Sequence, residues 1–190
     1  MRAFIAIDMP KEVKTRLGRI EEQLKTSGAD AKWVEPANIH ITLKFLGEID
    51  EKTKESAVAA IKDTAEENAA FSMQLSSAGA FPDIKYPRIV WVGADAGSAE
   101  TVKIAKSLEE RLEKIGIPKE DREFACHITI ARVRSGRNRL KLTEGIEKIS
   151  AELKNECLRL QAGKITLFKS SLSPKGPVYE AVYEASLKTT

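Results

Sequence analysis

Residues 2–7, RAFIAI, form an apolar, β-prone run, and the pattern predicts a buried strand. Pro10 then opens a helix, because its fixed φ suits a first turn. Val13, Leu17, Ile20 and Leu24 fall at spacings of four, three and four, which puts them on one buried stripe, and Gly28 ends the helix. A short strand is expected at 32–34, before Pro36, and a longer one at 39–46. A second helix is predicted over 51–67, with Ala57, Val58, Ile61 and Ala65 inward. Residues 71–81 alternate like a strand, Pro82 to Pro87 reads as a turn, and RIVWVG (88–93) as a central strand. A helix over about 98–115 is striped by Ala105, Leu108, Leu112 and Ile115. A strand follows at 125–131, then a helix near 140–153 with Leu142, Ile146, Ile149 and Leu153 on one face. Two tail strands, 164–172 and 178–187, are joined by the turn SPKGP.

The order repeats. RAFIAID, a helix and HITL is echoed by RIVWVGA, a helix and HITI. No linker rich in Gly, Ser or Pro separates the halves, so the pattern predicts two interlocked copies of one unit. Residues 1–190 are expected to form one bilobal domain, with its repeated motifs at 40–43 and 127–130.

His40 and His127 are the only histidines, and each is written His-Ile-Thr-aliphatic. Successive side chains of a strand point to opposite faces. Alternation therefore sets Ile39, Ile41, Leu43 and Phe45 against the core and leaves His40, Thr42 and Lys44 on the other face. In the second strand His127 and Thr129 share a face opposite Cys126, Ile128 and Ile130. With eleven threonines, both histidines gain one two places on by accident roughly 0.3% of the time, so a shared role is favoured. Two imidazoles converging from related strands suit in-line displacement at phosphorus. An imidazole titrates near pH ~6.5, so one ring can act as base while the other acts as acid. Threonine hydroxyls can donate to the non-bridging phosphate oxygens, where negative charge grows in the transition state. The scheme needs no metal or other cofactor.

Composition narrows the field. The chain is 42% hydrophobic and 31% charged, as in a globular protein, and its net charge is only +3. An anionic ligand must then be held by local charge. The opening apolar stretch is broken by Asp8 and too short for a signal segment, no segment approaches membrane length, and two cysteines suggest reduced thiols. A cytoplasmic protein that does not engage membranes is expected, acting as a monomer. Cys126 and His127 are adjacent and point to opposite faces, and no Cys-x-x-Cys spacing exists, which disfavours zinc. Gly-rich phosphate loops and a Ser nucleophile elbow are lacking, which disfavours ATP-driven and covalent-serine chemistry.

Paired HxTx motifs on related halves resemble the 2H phosphoesterase superfamily. FIAIDMP near the start, WVEPANIHITLKFLGE (33–48), HITIAR (127–132) and LFKSSLSPKGPVY (167–179) together look like its RNA 2′,3′-cyclic phosphodiesterase branch, first named for 2′–5′ RNA ligase activity. The resemblance implies an α+β fold: two pseudo-symmetric lobes with mainly antiparallel sheets, flanked by helices, around a cleft lined by the HxTx strands. It implies hydrolysis of RNA 2′,3′-cyclic phosphate ends, tRNA fragments among them, to 2′-phosphates. It also implies His40 as proton donor, His127 as proton acceptor, and Thr42 and Thr129 as phosphate contacts. The residues alone leave acid and base interchangeable. Alternatives are 2′–5′ ligation of tRNA halves, a cyclic phosphodiesterase of small nucleotides, and a non-catalytic binder of RNA ends.

Four further features have two readings each. Arg132 matches a basic position of the branch and suits a bidentate phosphate pair, yet strict alternation turns it away from His127 unless a bulge or the strand's end turns it back. Lys44 either adds positive field beside His40 or is a solvated strand-end lysine. Phe4 either stacks on the terminal base or fills the core, while Trp33 and Trp91 read as core or rim. The run RVRSGRNRLK (132–141), with five basic residues and no acid, is either a solvated loop or a track for an RNA backbone.

Overall fold

The computed structural model describes residues 1–174 and 176–189. The elements, in chain order, are β1 (Arg2–Asp8), α1 (Lys11–Lys25), β2 (Ala31–Trp33), a 3-10 turn (Pro36–Asn38), β3 (His40–Glu48), α2 (Glu51–Glu67), β4 (Phe71–Phe81) and β5 (Ile89–Ala94), followed by α3 (Ser98–Glu113), β6 (His127–Val133), α4 (Arg139–Asn155), β7 (Leu158–Ala162), β8 (Lys164–Ser173) and β9 (Gly176–Ser186). Lys175, within the expected SPKGP turn, lies outside the described residues.

The fold is α+β. One sheet has the order β3-β1-β8-β9 and the other β2-β6-β5-β4-β7, with antiparallel neighbours throughout. Each half of the chain contributes to both. β1 and β3 enter the first sheet, while β2 and β4 cross into the second. β5, β6 and β7 build the second sheet, and β8 and β9 return to the first. The helices cross as well: α2 and α3 pack together and against the first sheet, while α1 and α4 pair over the second. One hydrophobic cluster runs through both layers, from Ile5, Ile7 and Ile41 to Val90, Ile128 and Leu160.

Local chemistry sets the helix ends and faces. Asp50 caps α2 by accepting from the Thr53 N–H at 2.8 Å. Gly18 of α1 lets Pro36 settle onto the helix, since a Cβ there would stand 3.3 Å from the proline ring. Three expectations need correction. Ile20 is only half-buried, and Glu21 takes its place in the buried stripe of α1. Ile115 lies past the end of α3 and is exposed. A further strand, β7, pairs with β4 through an alternating stretch in which Leu158, Leu160 and Ala162 are buried.

Candidate active site

His40 opens β3 and His127 opens β6, so each motif starts a strand in a different sheet, and these two strands pack against one another. The chain itself ties them together. β2 pairs with β6, Val34 N–H donates to the Ile130 carbonyl at 2.9 Å, and the 3-10 turn then delivers His40.

The two imidazoles are set alike. His40 Nδ1 lies 2.7 Å from the Asn38 carbonyl, and His127 Nδ1 lies 2.7 Å from the Ala125 carbonyl. A carbonyl oxygen only accepts, so Nδ1 carries the proton in each neutral ring and Nε2 is left as the basic nitrogen. His40 Nε2 then accepts from the Thr42 hydroxyl at 2.9 Å. Asn38 is itself held, because its Nδ2 donates to the Pro177 carbonyl at 2.8 Å and its N–H to the Glu35 carbonyl. Burial lowers the His40 pKa below the usual imidazole range, against the opposing pull of the Asn38 carbonyl and Asp8.

Both motif strands carry a β-bulge at the same place. Against β1, Thr42 pairs with Ala6 and Lys44 with Ile5, so Leu43 is an extra residue. Against β5, Thr129 pairs with Trp91 and Ala131 with Val90, so Ile130 is the extra residue. Each bulge comes three residues after its histidine and reverses the alternation beyond it. Arg132 is therefore exposed on the face of His127 and Thr129, while Ala131 is in the core. Its charge reaches Tyr179 of the opposite sheet, whose phenol burial raises while Arg132 and Arg2 pull it down.

In the first motif the same bulge exchanges Lys44 and Phe45, which corrects the alternating assignment. Lys44 is 3% exposed, and its ammonium donates to the Pro118 carbonyl at 2.7 Å and to Glu109 at 3.0 Å, with Glu120 at 3.4 Å. It latches β3 to α3 and to the segment that leads into His127. Lys44→Met leaves Glu109 without this partner and should lower stability by about 1–3 kcal/mol in urea unfolding; an unchanged midpoint would contradict the latch.

Phe45 turns outward and is 59% exposed, with its ring 6.2 Å from that of Phe4. Phe4 itself is 3% exposed and packs against the rings of His40 (4.8 Å), Phe168 (5.3 Å) and Tyr179 (4.8 Å). Tyr179 meets His40 edge-on at 5.4 Å, and Phe81 meets His127 edge-on at 5.1 Å. Sequence reasoning missed Phe45, Phe81 and Tyr179. Setting the two motifs in register, so that Phe45 falls opposite Arg132, was the signal for the first. Trp91, across from Thr129, packs against Gly79, where a Cβ would come within 2.4 Å of the indole. Among the described residues no cluster of three or more His, Cys, Asp or Glu side chains is placed to hold a metal ion, and no helix is long and apolar enough to cross a membrane.

Comparison with known proteins agrees with the internal repeat. The model of a family described as LigT like Phosphoesterase matches twice, at residues 7–91 and 92–179. An RNA 2′,3′-cyclic phosphodiesterase of Methanocaldococcus jannaschii is 40% identical, over 97% of this chain and 99% of its own. One from Methanothermobacter thermautotrophicus is 35% identical, over 94% and 95%. A crystal structure from Thermus thermophilus superposes with a TM-score of 0.79 at 28% identity, covering 98% of both chains.

Proposed function

The chain belongs to the LigT-like phosphoesterase family, and on that premise we propose that it hydrolyses 2′,3′-cyclic phosphate ends of RNA to 2′-phosphates, without a metal. The observation that carries this reading is the matched setting of the two imidazoles, each with Nδ1–H tied to the carbonyl two residues back. That setting leaves one Nε2 from each sheet for proton transfer, the His40 one by way of its imidazolium, whose Nε2–H no longer accepts from the Thr42 hydroxyl and so frees that hydroxyl to donate to the phosphate. His127 takes a proton from water as the water oxygen bonds to phosphorus. The bond from phosphorus to O3′ breaks, and O3′ takes its proton from His40. The names of the relatives support the RNA substrate.

Thr42, Thr129 and Arg132 hold the non-bridging oxygens, where fixed donors are worth most as charge develops. A lowered His40 pKa makes that ring a stronger acid but leaves less of it protonated in the free protein. The bound phosphate anion offsets this, because a nearby negative charge favours the imidazolium. Phe45 stacks on the terminal base, and Phe4 backs the His40 ring. The whole bilobal chain works as one unit, and its two unpaired cysteines suit a reducing cytoplasm.

The test is to incubate purified protein and a chelator with nucleoside 2′,3′-cyclic phosphates and to identify the product isomer by phosphorus NMR. The 2′-phosphate is expected at undiminished rate. A 3′-phosphate, or turnover abolished by the chelator, would overturn the reading.

A further inference from the structure

Charge on this protein is concentrated on one surface. The β4–β5 loop (82–88) and the stretch 132–141 hold seven of the 31 basic residues and one of the 28 acidic ones, so they carry +6 while the rest of the chain carries −3. The two segments are knit together. Val133 N–H donates to the Arg88 carbonyl at 2.9 Å, the Thr143 hydroxyl donates to the Ile84 carbonyl at 2.9 Å, and the Arg139 guanidinium lies 4.5 Å over the Tyr86 ring.

The pattern of partners points to an external anion. Among the described residues, Lys85, Arg88, Arg134, Arg137 and Lys141 make no ion pair, so no carboxylate of the chain neutralises the charge gathered in these two segments. The loop's one acid, Asp83, accepts from the N–H groups of Lys85 and Tyr86 at 2.8 and 3.0 Å and so folds its own turn. Lys32 of β2 stands directly across from Arg132, both exposed and neither ion-paired among the described residues. Like charges at a directly opposed pair repel, and an anion between them removes that cost. Tyr86 is 60% exposed, a large aromatic held in place by the guanidinium stacked on it.

The surface is continuous with the catalytic site. Arg132 belongs to both, and the β4–β5 loop leaves β4 at Phe81, whose ring meets His127. From His127 to Arg134 is seven residues, or about 20 Å at ~3.3 Å per residue, enough for several nucleotides. We propose that this two-loop surface holds the single-stranded RNA upstream of the cyclic end, with phosphates on Lys32, Lys85, Arg88, Arg134 and Arg137 and one base stacked on Tyr86. The proposal rests on the preceding reading of the site and adds that the substrate is an oligonucleotide, bound through its backbone rather than through its terminal nucleotide alone. Backbone contact carries affinity without reading sequence, so the enzyme accepts many RNA 3′ ends.

Two substrates separate the possibilities: a nucleoside 2′,3′-cyclic phosphate and a hexanucleotide ending in the same group. In the variant Lys85→Gln, Arg88→Gln, Arg134→Gln, Arg137→Gln, KM for the hexanucleotide should rise at least about ten-fold at 0.1 M salt. Its dependence on log salt should flatten by about 2–3 units, near 0.7 for each phosphate no longer neutralised. Turnover of the mononucleotide should be unchanged, which also shows that the variant folds. Tyr86→Ala should weaken the hexanucleotide alone, by about five-fold or more. Equal effects on both substrates, or no effect on either, would overturn the proposal. Anisotropy of a labelled hexanucleotide 2′-phosphate needs no turnover. Weaker binding by the variant supports the surface even if the cyclic ends are never cut, and unchanged binding rejects it.

Discussion

His40→Ala and His127→Ala should each lower kcat/KM for a cyclic phosphate by about 10²–10⁴-fold, the usual contribution of a positioned acid or base. Both rings are half-buried and each opens a strand, so neither fills a core position whose loss would unfold the chain. The losses should not multiply. In the proposed mechanism acid and base serve one transition state, so removing either leaves the other with little to do. The double variant should therefore fall close to the weaker single variant. Binding of a 2′-phosphate product should change far less than turnover, because the proposed phosphate contacts Thr42, Thr129 and Arg132 remain. Steady-state kinetics with product-inhibition constants check both statements, and a single variant within three-fold or so of the parent would count heavily against paired proton transfer.

Glu21→Gln should stabilise the protein by an amount that grows with pH. Glu21 is 2% exposed in α1, and its Oε1 is buried without a hydrogen-bond partner. Burial pushes its carboxyl from 4.5 up to about 8; Lys25 pulls it down, while Glu35, from the segment ahead of the 3-10 turn, and Glu22 push it further up. Between pH 4.5 and 8 the folded chain holds a proton that the unfolded chain has lost, so stability falls as pH rises through that window. A neutral amide removes the dependence. The parent should lose on the order of 3 kcal/mol relative to the variant between about pH 4.5 and pH 7, and about 5 by pH 9, with 1.36 kcal/mol per pKa unit. Urea unfolding at about pH 5, 7 and 9 reads the difference. Parallel curves would show that Glu21 does not hold its proton.

The succession of elements was open to reading because long amphipathic stretches announce themselves. The helix 51–67 is where its stripe puts it, and strand 71–81 where its alternation does. The crossing of α1, β2 and β4 onto the second sheet was not, since nothing local records which sheet a strand joins. That crossing also explains Glu21: the buried face of α1 is set by a sheet the helix does not directly follow, and the stripe admits either neighbour. β7 was lost to brevity, five alternating residues behind a long helix. The bulges had the largest consequence. An extra residue leaves no mark in composition, so alternation alone makes Lys44 a neighbour of His40 and Phe45 a core residue. For Arg132 alternation gives the wrong face in the same way, and a bulge or the strand's end is needed to turn it toward His127. Reading HITLKF against HITIAR as a repeat places both bulges at once, since symmetry then applies one correction twice.

The pH dependence of kcat/KM for a nucleoside 2′,3′-cyclic phosphate tests the paired-imidazole account most directly. It predicts a bell and, in His127→Ala where His40 is the one imidazole left, a descending limb that begins below the ordinary imidazole range, because burial lowers the pKa of that acid. His127→Ala should erase the acid limb and His40→Ala the alkaline limb. A profile that keeps both limbs in either variant would contradict it.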